Sequence, residues 1–297
     1  MTMNTSITSG QVDQATDLAR ARIRKMTGVS SEEFQVLLSR GGEFQDDVEA
    51  SIRRLVRRDQ FANEEVRAAY GYPEEYKGPK PIKQQIRAIA EVFGLDPALA
   101  LEYAKKLPVL PEGAEGWFAI PLVDTLAAKH FPEVVDPAEK YCRALQLVHQ
   151  KIAASRSFTN YRDGQIDTAH IRVSTRTLEM MKKIAEMQKG DILIIAAQLG
   201  KRHGGRSVRR AREVFTANEY GLTSVAGGSI VLVHPERLVR WEEQDMDMAG
   251  DEFSADGGDS FGRAPFFFFL DGEARFGTSG VSYADGLYGS VSGFVPQ

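Results

Sequence analysis

DILIIAAQLGKRHGGRSVRRAREVF, residues 191–215, is the stretch that decides the fold. Asp191 to Ala197 holds a short apolar run rich in β-branched side chains, which predicts a buried strand. Ile192 to Ala197 is also the longest apolar run in the chain, far below the roughly 20 residues a membrane-spanning helix needs. Gly200, Gly204 and Gly205 then open a basic loop, and Ser207 starts a helix to about Ala217. A strand, a glycine-bearing loop and a helix in direct succession place both element types in the middle of the chain.

Upstream the pattern is helical to about Leu110. Gln11 to Met26 mixes Leu18, Ala21 and Ile23 with charges, and Gly28 suits a helix stop. Ser30 and Glu33 have the spacing of a capping box. Val48, Ile52 and Val56 recur along one helical face, with Arg53, Arg54, Arg57 and Arg58 beside it. Gly71, Pro73, Gly78, Pro79 and Pro81 make a connector, after which Ile82, Ile86, Ile89 and Phe93 form another amphipathic helix. The prolines and glycine of Pro108 to Glu115 predict a boundary, with a helical region over 1–110 and a mixed α/β domain over 111–297.

In the second region, Gly116 to Ile120 is a strand candidate. Asp136-Pro137-Ala138-Glu139 combines an aspartate cap, a first-turn proline and a glutamate three residues on, so a helix should start there. Its buried stripe is Tyr141, Leu145, Val148 and Ile152. Ser174 to Met187 is a further helix. Ile230 to Val233 is expected as a second apolar strand. Phe266 to Leu270, Asp271-Gly272 and Glu273 to Phe276 read as a hairpin, because Asp-Gly suits a tight type I′ turn. Asp251 to Gly262 is expected as loop with disorder. The class is α+β: a helical N-terminal region, then a mixed α/β domain with a largely antiparallel sheet, ending in short strands and loops.

The 297 residues carry a formal charge of −4, which argues against a globally basic nucleic-acid binder and leaves room for a local basic patch. One cysteine, Cys142, rules out an intrachain disulfide and a multi-cysteine zinc site. Met1 to Gly10 lacks the layout of a signal peptide. The expectation is a soluble, cytoplasmic protein without membrane contact.

Chemistry concentrates in Lys201, Arg202, His203, Arg206, Ser207, Arg209, Arg210 and Arg212. Glycine-flanked backbone N–H groups beside a helix start favour anions, and the arginines would add charge-assisted hydrogen bonds. The spacing is neither a Walker A loop nor a dinucleotide fingerprint. The plainer reading is a surface turn and a helix with Arg209, Arg210 and Arg212 facing water. Asp245 to Glu252 echoes a calcium loop, but Ala249 and Asp256 stand where ligands are needed, so a solvated acidic loop is the better reading. Gly258-Asp-Ser260-Phe-Gly262 has the letters of a hydrolase elbow without the strand, helix or downstream histidine it requires. The sequence assigns no catalytic residue, no metal ligand and no cofactor.

From about Glu112 onward the chain resembles a family of uncharacterised proteins from small-genome uncultivated bacteria. The residues are Gly113 to Pro121, Asn160 to Gly164, Gly205 to Phe215, His234 to Leu238, Ala249 to Ser254 and Tyr288 to Gln297. The family has no assigned activity, so the resemblance implies no residue role. The order of elements, from a Gly-Trp-Phe strand to a closing Tyr-Gly-Ser strand, also resembles a C-type-lectin-like layout, in which first and last strands pair. Three functions follow in order of expectation. The first is a binding protein contacting nucleic-acid or other phosphate groups through the basic segment, its helical front docking a protein partner. The second is an enzyme on a small phosphorylated or nucleotide substrate, with His203, Asp251 or Glu252 as acid–base. The third is an assembly module using the apolar hairpin or the front helices.

Overall fold

The computed structural model describes residues 7–56 and 59–296, without the side chains of residues 50 and 53–56. The chain divides into two compact units, Met1–Arg57 and Arg58–Gln297. The first contains α1 (Ser9–Ile23), α2 (Ser31–Ser39) and α3 (Gly41–Val56). The capping box expected at α2 is formed: Glu33 N donates to Ser30 Oγ at 3.1 Å, and Ser30 N to Glu33 Oε2 at 2.8 Å. Thr8 and Gln11 make a second box at α1. No residue of α1 or α2 is buried, and Val48 and Ile52 of α3 are exposed. The side chains of Val56, Arg53, Arg54, Arg57 and Arg58 lie outside the described residues.

The larger unit begins with a strap, then α4 (Ile82–Phe93), α5 (Ala98–Tyr103), β1 (Gly116–Pro121), α6 (Val123–His130) and α7 (Pro137–Ser155). It continues with β2 (Phe158–Asn160), β3 (Ile171–Val173), α8 (Thr175–Gln188), β4 (Ile192–Gln198), α9 (Val208–Val214), β5 (Glu219–Gly221) and α10 (Ser224–Val233). The last elements are β6 (Asp245–Asp247), β7 (Asp251–Phe253), β8 (Arg263–Leu270), β9 (Glu273–Gly280), β10 (Tyr288–Ser290) and β11 (Ser292–Phe294). One sheet has the order β1-β4-β11-β5, all antiparallel. The other runs β10-β6-β8-β7-β3, with β9 on β8 and β2 on β9. In this second sheet only β6–β10 and β2–β9 are parallel among the described strands. The class is therefore α+β, as the sequence predicts.

Four expectations are corrected. The boundary near residue 110 falls inside the larger unit: Ile86, Ile89 and Phe93 of α4 share one core with Phe118, Ile120 and Ile194. The Pro/Gly connectors are surface loops of that unit, and Pro79 packs so closely on β1 that a Cβ at Gly116 would lie 2.4 Å from its Cγ. The first and last strands do not pair, because β4 lies between β1 and β11. Ile230 to Val233 is the end of α10, not a strand. Finally, Asp251–Phe253 forms β7, with Asp251 and Ser254 fully buried in place of a disordered start to the loop.

α10 is apolar on every side, the mark of a helix enclosed by protein. It packs on α7, β1, α4 and β8, with every residue from Ser224 to Val231 buried. Thr223 Oγ1 caps it by accepting from Ala226 N at 3.2 Å. Gly227 and Gly228 let its backbone approach neighbours: a Cβ at Gly228 would lie 2.6 Å from Val148 Cγ1 and 3.1 Å from the Phe267 ring.

Two further signals read correctly from sequence. Asp136 Oδ1 caps α7 by accepting from Glu139 N at 2.9 Å, although Glu139 then turns to Arg143 at 2.8 Å. In the β8–β9 hairpin, Leu270 pairs with Glu273, and Asp271 and Gly272 have φ of 51° and 83°, as a type I′ turn requires.

Gly228→Val should destabilise the protein by about 1–3 kcal/mol through overpacking. Urea midpoints should show part of that loss restored when Val148→Ala is added.

Candidate functional site

The basic segment leaves β4 through Gly200, whose φ of 127° no L side chain adopts easily, and reaches α9 through Gly205 at 77°. A Cβ on Gly205 would meet Val66 O at 2.2 Å, because the strap runs alongside. Val66 N donates to Gly205 O at 2.8 Å, and Ser207 N to Glu64 O at 3.1 Å. The strap thereby brings Asp59, Glu64 and Glu65 onto the arginines.

Ser207 caps α9 by accepting from Arg210 N at 3.1 Å, while its own hydroxyl donates to Glu64 Oε2 at 2.6 Å. Arg209 Nε lies 2.8–2.9 Å from both oxygens of Glu64, Arg209 Nη2 also pairs with that carboxylate, and the guanidinium rests 4.3 Å over the Phe61 ring. The bond from Arg209 holds Glu64 below the ordinary carboxylate range. Arg210 is buried among Asp59 at 2.9 Å, Glu213 at 2.8 Å and Glu65. Arg206 Nε is 3.3 Å from Glu65. Arg212 donates to the carbonyls of Ala249 at 2.9 Å and Asp251 at 2.6 Å, tying α9 to β7.

His203 is buried with Nε2 2.7 Å from Glu219 Oε1, and Nδ1 3.1 Å from an Arg206 N–H. Nδ1 therefore accepts and Nε2–H donates, the neutral tautomer that burial also favours by lowering the imidazole pKa. Burial alone would raise Glu219, but bonds from His203 and Ser292 offset it and bring the carboxyl to about 2. Arg202 adds a contact to Glu219 at 3.3 Å. Only Lys201, exposed and 4.6 Å over the Tyr72 ring, has no carboxylate partner among the described members of the segment. The eight residues do come together, and most of their donors are already spent on the protein itself. Neither sequence reading of Arg209, Arg210 and Arg212 anticipates this network: Arg210 is buried, the other two are partly buried, and all three bond to the protein itself.

The proposed acid–base side chains are each bonded to other partners. Asp251 accepts from Tyr141 Oη and from Ser224 N, both at 2.6 Å, and so anchors the start of α10. Glu252 pairs with Arg172 at 2.7 Å. Asp245 and Asp247 are buried in β6, so the solvated acidic loop expected here is a strand, and no cluster able to hold a metal exists among the described residues. Ser260 is exposed in the loop between β7 and β8, away from any strand-to-helix turn. Cys142 is buried, which pushes its thiol up to about 12 and leaves it unreactive.

A different residue stands out. His149 on α7 is 94% buried by its 6% exposure, and neither ring nitrogen has a hydrogen-bond partner among the described residues. Its ring sits among Phe158, Phe267 and Phe276, with centroid distances of 5.3, 6.0 and 4.4 Å. Burial pushes the imidazole down to about 3, so it is neutral at pH 7. It floors a cleft of about 570 Å³ between α7, β2 and the turn after β2. Around it stand Gln146, Gln150, Asn160 and Asp163. Gln146 Nε2 donates to Ile166 O at 2.8 Å and Asn160 Oδ1 accepts from Arg162 N at 2.9 Å, which leaves the other end of each amide for a ligand. No lysine or arginine lines the cleft. In the sequence, the i, i+4 relation of His149 to Leu145 on the buried stripe is the signal of its burial.

No protein-family model, no curated protein and no solved structure matches the chain. The cleft has therefore to be read from its own chemistry. No helix among the described residues is long and apolar enough to cross a membrane.

The buried carboxyls set a pH dependence. Burial raises Asp245 to about 8, Asp247 to about 7 and Asp251 to about 6; Arg237 and Asp285 face Asp245, and Arg212 faces Asp247. A carboxyl with a raised folded pKa contributes stability below its unfolded value, and that stability is lost as pH climbs to the folded value. His149 and His234, lowered to about 3 and about 4 by burial, act the opposite way, but only below about pH 6.5. Stability should therefore fall between pH 6.5 and 8, by about 1 kcal/mol per pH unit for each proton held only by the folded state. Urea unfolding across that range checks it, and Asp245→Asn should flatten the slope.

Proposed function

We propose that this protein binds a small uncharged polar molecule in the cleft between α7 and β2. The observation that supports this most is His149: a neutral imidazole with both nitrogens unsatisfied, buried among rings at the floor of an open cleft. A buried polar group without a partner costs about 1–3 kcal/mol; both ring nitrogens lie beneath the cleft surface, and a ligand group that reaches one by displacing the floor would offset that cost. Amides on the walls supply both donors and acceptors, and the absence of cations disfavours anionic ligands there. An enzymatic role has less support, since His203 is buried against Glu219, Asp251 is bonded to Tyr141 and Ser224, and Glu252 lies between Arg172 and Arg212.

Phosphate contact through the basic segment is the second reading. It rests on Lys201, which is exposed and free of carboxylates, with Arg202 and Arg206 beside it. Labelled RNA and DNA anisotropy tests it. Affinity that falls steeply with salt and is lost in Lys201→Glu would support this reading, and no binding at low salt would remove it.

For the cleft, His149→Phe is the informative variant, because a similar ring replaces the unsatisfied imidazole. It should be as stable as the parent or gain up to about 2 kcal/mol. Ligand-observed NMR with a library of neutral polar compounds should give binders to the parent that His149→Phe no longer takes up. Compounds bound equally by both proteins, or none bound by the parent, would end the proposal.

A further inference from the structure

Asp245 and Asp247 sit two residues apart on β6, so both side chains project from one face, while Met246 between them enters the core at 0% exposure. The parallel register of β10 sets Tyr288 beside Asp245 and Ser290 beside Asp247. The antiparallel register of β8 sets Phe266 opposite Asp247. One face of the sheet thus gathers two carboxyls, two aromatic rings and a hydroxyl. Phe266 and Tyr288 meet at 5.3 Å with their planes at 85°, and Tyr283 meets Tyr288 at 5.7 Å and 71°.

The polar groups on this face lack partners. Asp245 and Asp247 are 5% and 4% exposed, and neither side chain takes part in a hydrogen bond or ion pair among the described residues. Ser290 is fully buried and its Oγ is also unpartnered. The two guanidiniums nearest in charge are committed elsewhere. Arg237 donates to Gln244 O at 2.7 Å and Leu199 O at 2.9 Å, and Arg212 to the carbonyls of Ala249 and Asp251. Arg237 and Arg212 supply positive charge nearby without bonding to either carboxyl; a buried carboxylate left without a direct partner is unfavourable, and a bound cation would relieve that.

We propose that this face of β6, β8 and β10 binds the ammonium head of a small organic cation. The ammonium donates to Asp245, Asp247 and Ser290 Oγ, while its carbon substituents lie against Phe266 and Tyr288, with Tyr283 at the rim. The face of an aromatic ring attracts such a cation, and Phe266 and Tyr288 stand beside the two acids in the strand register. A metal ion fits less well: no trio of His, Cys, Asp or Glu able to hold one exists among the described residues. Half-exposed Tyr288 and exposed Tyr283 give the site its opening. The ligand chemistry differs from that of the His149 cleft, which has no aromatic–acid pairing of this kind, and the two readings stand or fall separately.

The test is calorimetric titration of the full chain at pH 8 with methylammonium, butylammonium and putrescine, and with potassium, magnesium and calcium at matched ionic strength. Saturable binding of at least one organic ammonium, weakened tenfold or more in Asp245→Asn/Asp247→Asn, supports the proposal. The asparagines keep the shape of the face and remove its charge, so the double variant should fold; its unfolding midpoint is measured alongside. Phe266→Leu, which keeps both carboxyls, should weaken butylammonium at least threefold and serves as the second variant if the first does not fold. His149→Phe should leave this binding unchanged. No saturable binding by any amine, equal binding by the double variant, or binding of calcium or magnesium alone would overturn the proposal.

Discussion

Burial of α10 is the constraint on which the larger unit depends. The helix has no polar face to show to water, so it must be enclosed on all sides. β1 contributes from one sheet, β8 from the other, and α7 and α4 complete the enclosure. Close approach is possible because Gly227 and Gly228 carry no side chains where Met248, Val148 and Phe267 press in. Its N-terminal donors are met inside the protein, Ala226 N by Thr223 and Ser224 N by Asp251. That second contact links the central helix to β7 and, through Tyr141, to α7. A buried carboxyl that looked like part of a solvated loop is thus a structural anchor.

The strap works by a related principle on the outer side of α9. Three carboxylates carried by residues 59–65 neutralise Arg206, Arg209 and Arg210, and Glu64 meets the hydroxyl of Ser207 as well. A cluster of arginines next to a helix start is electrostatically unfavourable by itself. Pairing with the strap makes it a fastening. Three of the charges that suggest a phosphate site from sequence hold residues 59–66 against the body.

Polar groups that remain unsatisfied are therefore informative, because so many others are satisfied. The wall amides near His149 keep free ends around a neutral ring. Asp245, Asp247 and Ser290 form a second such set on the face of β6 and β10. The two differ in kind: one has amides and a neutral ring with no cation nearby, the other has acids among aromatic rings. Both lie on elements set by the seven-stranded sheet or by the helix packed on it.

Local signals were legible wherever a few neighbouring residues decide the conformation. The Ser30 and Asp136 caps, the Asp271-Gly272 turn and the Ser207 start of α9 all depend on contacts within about four residues, and the sequence determined each of them. Ile230 to Val233 was misread because a short apolar run has no period to separate strand from helix; the enclosure of α10 settles it. The boundary near residue 110 was misread because prolines and glycines mark loops without saying whether a core runs beneath them. The arginine segment was legible as a cluster and not as a set of partners, since Glu64 lies 145 positions from Arg209. His149 and the pair on β6 were beyond reach for the same reason: whether a polar atom goes unsatisfied depends on every element packed around it, and only the tertiary structure brings those elements together.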